Sequence, residues 1–157
     1  MAFMHGKGRK PEKSVFTNMV MIEDKNGNVL VQRRIKGWNG LVFPGGHLNS
    51  KETFVESAIR EIKEETGLVI SDLKICGVKQ WFSEEEGRNV CILFKTNKYE
   101  GDLKFSDEGN VFWMPLDELM SSSEVATGFD KMLTVFLREE INEMFYPDNG
   151  ESNPILL

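Results

Sequence analysis

Gly46-His47-Leu48-Asn49-Ser50-Lys51-Glu52-Thr53-Phe54-Val55-Glu56-Ser57-Ala58-Ile59-Arg60-Glu61-Ile62-Lys63-Glu64-Glu65-Thr66-Gly67-Leu68 is the stretch that decides the fold. Thr53 and Glu56 have the spacing of a capping box, Phe54, Val55, Ala58, Ile59 and Ile62 form one apolar stripe, and Gly67 supplies a C-terminal stop. These signals predict a helix from about Thr53 to Thr66. With 3.6 residues per turn, Glu61, Glu64 and Glu65 stand at i, i+3 and i+4, so their carboxylates share one arc, with Glu65 at the edge of the apolar stripe. Like charges at that spacing repel, and a surface helix built only for stability would interleave more lysine.

Working outward, Ser14 to Glu23 and Val29 to Arg33 alternate in apolar character around the turn residues Asp24 to Asn28, which predicts a β-hairpin. Gly37 to Gly40 interrupts the pattern, and Leu41 to Phe43 is a short strand. Pro44-Gly45-Gly46 then forms a tight turn where backbone can come close to a ligand. Beyond the helix, Leu68 to Phe82, Asn89 to Tyr99 and Val111 to Met114 read as strands, and Pro115 opens a helical turn. A last helix is expected from about Asp130 to Met144, with Met132, Leu133, Val135, Phe136, Ile141 and Met144 inward. The pattern is that of an α/β sandwich with a mixed β-sheet between helices. One domain is expected from residue 14 to 146, after a flexible leader (1–13) and before a loose tail (147–157).

Length and composition agree with that reading. The 157 residues suffice for one core. Apolar residues at 40% and charged residues at 28% exclude disordered, collagen-like and disulfide-rich classes. The formal net charge is -6, with lysine and arginine crowded at the N-terminus and no stripe suited to a polynucleotide. An acidic protein handling an anionic substrate must screen its own field, and a divalent cation does so well. Cys76 and Cys91 lack the spacing of a zinc site or redox pair and read as buried free thiols. Without an apolar run at the N-terminus, neither signal peptide nor membrane span is expected, and the cytoplasm is the expected location.

A lone Glu-x-x-Glu-Glu reads most simply as a solvated acidic face. The frame overrides that reading: Gly46, Glu52, Arg60, Glu61, Ile62, Glu64, Glu65, Gly67 and Leu68 all stand at fixed offsets. Such a set arises by chance at any one start on the order of once in a billion. The segment resembles the Nudix box of the Nudix hydrolases, with every defining position filled. The resemblance implies an α/β/α sandwich, a divalent cation such as Mg²⁺ or Mn²⁺, and hydrolysis of a nucleoside diphosphate linked to another group; it also allows a homodimer. Elementary chemistry agrees, since water attacking a polyphosphate needs neutralised oxygens, an activated nucleophile and in-line geometry. Glu61, Glu64 and Glu65 are expected to ligate the metal, with the Gly45 carbonyl as a backbone ligand. Glu61 is the first choice of general base and Glu64 the alternative. Glu52 and Arg60 would hold the loop and helix together and tune a neighbouring carboxylate.

Outside the box, similar proteins place a further metal-binding acid where Glu108 stands, and a loop charge is the alternative. One of Arg33 and Arg34 could clamp a phosphate beside Gly46; the alternative is a solvated strand end. Trp38 and the residues leading to Gly46 resemble the MutT-type branch, which acts on oxidised nucleotides such as 8-oxo-dGTP. In that branch the base lies between the sheet and the last helix. Asp130 would then read the purine edge, with Phe16, Trp81, Phe82 or Phe129 stacking on it, against the plainer roles of helix cap and core. An ADP-ribose or other nucleoside-diphosphate substrate is the alternative, and a non-catalytic nucleotide sensor is a second.

Overall fold

A computed structural model describes residues 10–107, 109–149 and 153–157. In chain order its elements are β1 (Ser14–Ile22), β2 (Asn28–Arg34), β3 (Gly40–Val42), α1 (Phe54–Thr66), β4 (Val69–Ser71), β5 (Lys74–Ser83), β6 (Gly87–Thr96), β7 (Lys98–Glu100), β8 (Gly109–Pro115), α2 (Leu116–Ser121), α3 (Phe129–Leu137), β9 (Glu143–Phe145) and β10 (Ile155–Leu156). A five-stranded mixed sheet runs β1-β6-β5-β9-β10, a three-stranded antiparallel sheet runs β3-β2-β8, and β4 pairs with β7.

Side-chain alternation explains why the sheets are covered on both faces. In β1, Met19 and Met21 enter one core cluster while Val20 and Ile22 enter another; in β6, Cys91 and Leu93 divide from Ile92 and Phe94 in the same way. Helix α3 fills the first cluster with Phe129, Met132, Leu133, Val135 and Phe136, and α1 fills the second with Ala58 and Ile62. A stretch of strand buried on both faces is apolar at successive positions, which is why β1 departs from the expected alternation over Met19 to Ile22. The expected sandwich is therefore present.

Helix α1 has the expected ends. Thr53 accepts from the Glu56 backbone, the Glu56 carboxylate accepts from Thr53, and Gly67 closes the helix at φ 82°. Its apolar stripe is shorter than expected: Ala58 and Ile62 are buried, whereas Phe54 and Val55 at the first turn are exposed.

Three expectations are corrected. The first two strands do not form a hairpin: β1 pairs in parallel with β6, β2 pairs with β3 and β8, and a single bridge joins Glu23 to Val29. The Asp24 carboxylate shapes the intervening turn by accepting from the Asn26 and Asn28 backbone amides, so the turn is real and the pairing is not. The last helix stops at Leu137 rather than near Met144, and Met144 is buried in β9. The tail is not loose throughout, since Ile155 and Leu156 pair with Phe145 and Met144. Among the described residues no helix is long and apolar enough to cross a membrane.

Candidate functional site

The loop that follows β3 is laced to the start of β1, where the Asn18 and Val20 amides donate to the carbonyls of Gly46 and Pro44. Pleat alternation turns the intervening Gly45 carbonyl away from β1. Both glycines are required by close approach. A Cβ on Gly45 would lie 2.1 Å from the Asn18 carbonyl oxygen, and one on Gly46 would lie 2.3 Å from the Glu61 carboxylate carbon. The first glycine lets the loop touch the sheet; the second lets α1 bring Glu61 against the loop.

Arg60 ties these parts together. Its Nε and Nη2 donate to the two oxygens of Glu52 at 2.6 and 3.0 Å, Nη1 donates to Glu61 at 2.9 Å and Glu64 at 3.1 Å, and Nη2 also reaches the His47 carbonyl at 2.9 Å. Glu52 accepts in addition from the Asn49 amide. The hydrogen bond from Arg60 is the chief reason the Glu52 carboxyl is held down at about 2, and the same bond raises the guanidinium's own pKa. Glu65 is buried, accepting from the Gly45 amide at 3.2 Å, with Gln32 Nε2 at 3.5 Å.

Above this loop and helix lies a cavity of about 550 Å³. Glu61, Glu65, Gly45 and Gly46 line one end, Arg34 stands on its wall, and Trp38, Trp81 and Lys79 line the remainder. The expected residues thus divide. Arg34 reaches the cavity, whereas Arg33 is engaged by both oxygens of Glu124 at 3.3 and 3.1 Å. Glu64 is turned outward, with a side chain 59% exposed and paired to Arg60. Phe129 is fully buried with its ring edge-on to Phe43, Asp130 is exposed, and neither is among the cavity's lining residues. Trp81 and Phe82 occupy opposite faces of β5, so Trp81 faces the cavity while Phe82 lies under Arg88 and edge-on to Phe145. Phe16 packs against Phe54 at the start of α1. Glu108 lies outside the described residues.

Donor chemistry at the carboxylate end suits a hard divalent cation. Glu61 and Glu65 supply carboxylates, and Asn18, which lines the same cavity, keeps a buried Oδ1 without a partner because its Nδ2 donates to Ser57. An orphan acceptor beside two carboxylates fits the water shell that Mg²⁺ retains. Among the described residues no three acidic, histidine or cysteine side chains are gathered closely enough to form a metal cage, and Arg60 holds both Glu61 and Glu64. Residues fit to hold the ion are Glu61, Glu65 and the Gly45 carbonyl, with Glu64 on the same arc of α1.

Sequence reasoning passed over Asn18, Lys79, Asn89 and Met132, all of which line the cavity. Lys79 carried a usable signal: a lysine within an apolar strand, two residues from Trp81 and so on the same face. Cys91, also in the lining, is buried with its thiol pKa raised chiefly by burial; Cys76 is half-buried and pushed to about 11 by the same cause.

Residues 15–136 match the NUDIX domain family model. The chain belongs to the NUDIX domain family. Among Nudix relatives, it is 35% identical over 99 residues to the oxidized purine nucleoside triphosphate hydrolase of Danio rerio, covering 59% of this chain and 62% of that protein. It is 33% identical over 90 residues to the ADP-ribose pyrophosphatase of Methanocaldococcus jannaschii, covering 56% of this chain and 53% of that protein. The matches thus span less than two thirds of either relative's length. In solved Nudix structures the likeness is more extensive: the mMutator MutT protein from Bacillus halodurans superposes with a TM-score of 0.74 at 25% identity, covering 90% of this chain and 97% of that one.

Proposed function

We propose that this Nudix protein is a divalent-cation-dependent pyrophosphohydrolase of nucleoside triphosphates, with oxidised purine nucleotides as its first substrate class. One observation carries the reading: Glu61 and Glu65 face one end of a cavity whose other lining includes Trp38 and Trp81, with Arg34 on the wall. That is the layout needed to hold a polyphosphate at the acidic end and a planar base at the aromatic end. The zebrafish relative's named substrate class supports the choice of oxidised purines.

When bound, Mg²⁺ or Mn²⁺ would neutralise phosphate oxygens and raise the acidity of attacking water. Glu61 and Glu65 would hold that ion with the Gly45 carbonyl. Arg34 would pair with a phosphate oxygen, fixing the chain of phosphates along the wall. Glu61, which accepts from Arg60 through one oxygen, would take the proton of an attacking water held beside the ion. Water attacks phosphorus, the phosphoanhydride P–O bond breaks, and the products are a nucleoside monophosphate and pyrophosphate. Arg60 orients Glu61 and acts only through it.

The test is a panel of (d)NTPs, 8-oxo-dGTP, ADP-ribose and dinucleoside polyphosphates, with Mg²⁺ and then Mn²⁺, and products identified by mass. Monophosphate and pyrophosphate from 8-oxo-dGTP at the highest kcat/KM are expected. Preferential cleavage of ADP-ribose would move the chain to the second reading, which the archaeal relative supports. No turnover of any substrate would replace the enzyme with a nucleotide sensor.

A further inference from the structure

Lys79 lies at the middle of β5, and its registry locates it with respect to the chemistry. His47 bridges Thr17, Thr17 pairs with Cys91, and Cys91 pairs with Lys79, so these residues form one row across the sheet. All of them line the cavity. With strands about 4.8 Å apart, Lys79 stands roughly 10 Å beyond β1, away from the loop that carries Gly45 and Gly46. A nucleotide with its anhydride at Glu61 and Glu65 reaches about that far with its base.

The surroundings of the ammonium are unusual for a lysine. Nζ lies 4.7 Å from the Trp38 ring, 4.9 Å from Trp81 and 5.5 Å from Tyr146. Trp38 is itself fixed, its indole N–H donating to the Thr127 carbonyl at 3.1 Å. Among the described residues no carboxylate forms an ion pair with Lys79, and burial lowers its pKa. Three aromatic faces stabilise the charge without accepting a conventional hydrogen bond from it. A lysine ammonium has three donors and no acceptor. Set in a half-buried cavity with no acceptor among the described residues, it is a donor that an acceptor on a ligand would satisfy.

We propose that Lys79, held by Trp38, Trp81 and Tyr146, selects the base: it favours nucleotides whose base carries a carbonyl oxygen where adenine and cytosine carry their exocyclic amine, as guanine, hypoxanthine and uracil do. An exocyclic amine placed there would set N–H against N–H and leave both donors unsatisfied, which is the stronger basis for rejection. This inference rests on the reading of the cavity as a nucleotide site.

The test is metal-free binding of dGMP, dIMP, dAMP, dUMP and dCMP, followed by the fluorescence of Trp38 and Trp81. The wild-type protein is expected to bind dGMP and dIMP about tenfold more tightly than dAMP, and dUMP more tightly than dCMP, the scale of one charge-assisted hydrogen bond. Lys79→Met keeps length and apolar packing but removes the donor, so it should weaken the oxo nucleotides and leave dAMP within about threefold. Lys79→Gln adds an acceptor, should shift preference toward dAMP, and serves if the Met variant does not fold. Equal affinities in the wild type, no monophosphate binding, or equal weakening of every nucleotide would overturn the role of Lys79. Selective, Lys79-dependent binding in a protein that hydrolyses nothing would overturn the hydrolase reading alone. Hydrolysis without base preference would overturn Lys79 alone.

Discussion

The carboxylate end of the cavity and its aromatic end are assembled in different ways. At the first, Arg60 finds Glu52, Glu61, Glu64 and the His47 carbonyl, none more than 13 residues away. At the second, Lys79 and Trp81 from β5 meet Trp38 from the loop before β3 and Tyr146 from beyond β9. A local network on one helix can be written as a motif with fixed offsets. A wall collected from separate segments exists only after the sheet has formed, and its residues can vary without disturbing the motif. The difference suits an enzyme that keeps one reaction while changing its substrate.

The largest expected effect breaks the carboxylate end alone. Glu65→Gln should lower kcat by about 10²- to 10⁴-fold while leaving the urea unfolding midpoint nearly unchanged, because the amide keeps the shape that fits beside Gly45 and Gln32. Ordinary turnover in that variant with Mg²⁺ would remove Glu65 from the site. The two neighbouring glycines sharpen the comparison further. Gly46→Ala meets first the end of the Glu61 side chain, so Glu61 moves and kcat should fall by about 10²-fold with stability retained. Gly45→Ala meets the Asn18 backbone, which cannot swing aside, and should lose about 1–3 kcal/mol of stability. Paired kinetics and urea melts of the two variants would show whether chemistry and packing separate between adjacent residues.

What was legible in the sequence follows the same division. Helix α1, its Thr53 cap, its Gly67 stop and the spacing of its acids depend on near neighbours, and they stand where periodicity put them. The outward turn of Glu64 was hidden because it depends on which carboxylate Arg60 reaches. Arg33 and Arg34 look alike as sequence, and pleating decides between them, sending one to Glu124 and the other to the cavity. Phe129 and Asp130 were expected at the base on the strength of a resemblance, but the start of α3 buries Phe129 in the core beside Phe43. Lys79 was overlooked because its one local signal, a place two residues from Trp81 in an apolar strand, does not tell that the distant Trp38 and Tyr146 close around it. Beyond Leu137 the apolar period continued far enough to suggest more helix, yet β5 offered a parallel partner to residues 143–145, and tertiary pairing overrode local pattern.

A pH series tests whether Arg60 and Glu52 support the carboxylate end as a structural clasp. The Glu52 carboxyl is held at about 2 against an ordinary 4.5. A depressed carboxyl contributes stability that is present in full above about pH 4.5 and is lost as the pH falls through about 2. The difference in urea midpoint between wild type and Glu52→Gln should therefore be largest near neutrality and shrink below about pH 4.5. A difference that stays constant down to about pH 2.5 would mean that the carboxylate charge adds nothing to the clasp.

The smallest effect belongs to the far edge of the aromatic end. Deleting residues 154–157 removes β10 and with it the bonds from the Asn142 and Glu143 amides to the Leu157 carbonyl, and from the Leu157 amide to Glu143. These lie at the margin of the sheet, where water can replace the lost partners, so about 1–2 kcal/mol of stability should go. Strand β9 keeps its place, since Val78 donates to the Asn142 carbonyl and Tyr146 donates to that of Gln80, independently of β10. Tyr146 therefore stays beside Lys79, and dGMP affinity should change by less than about threefold, well under the loss expected from removing the Lys79 donor. If the deletion instead abolished base discrimination while sparing kcat, the aromatic end would extend to the last strand, and the cage would be positioned by the sheet edge rather than by β5.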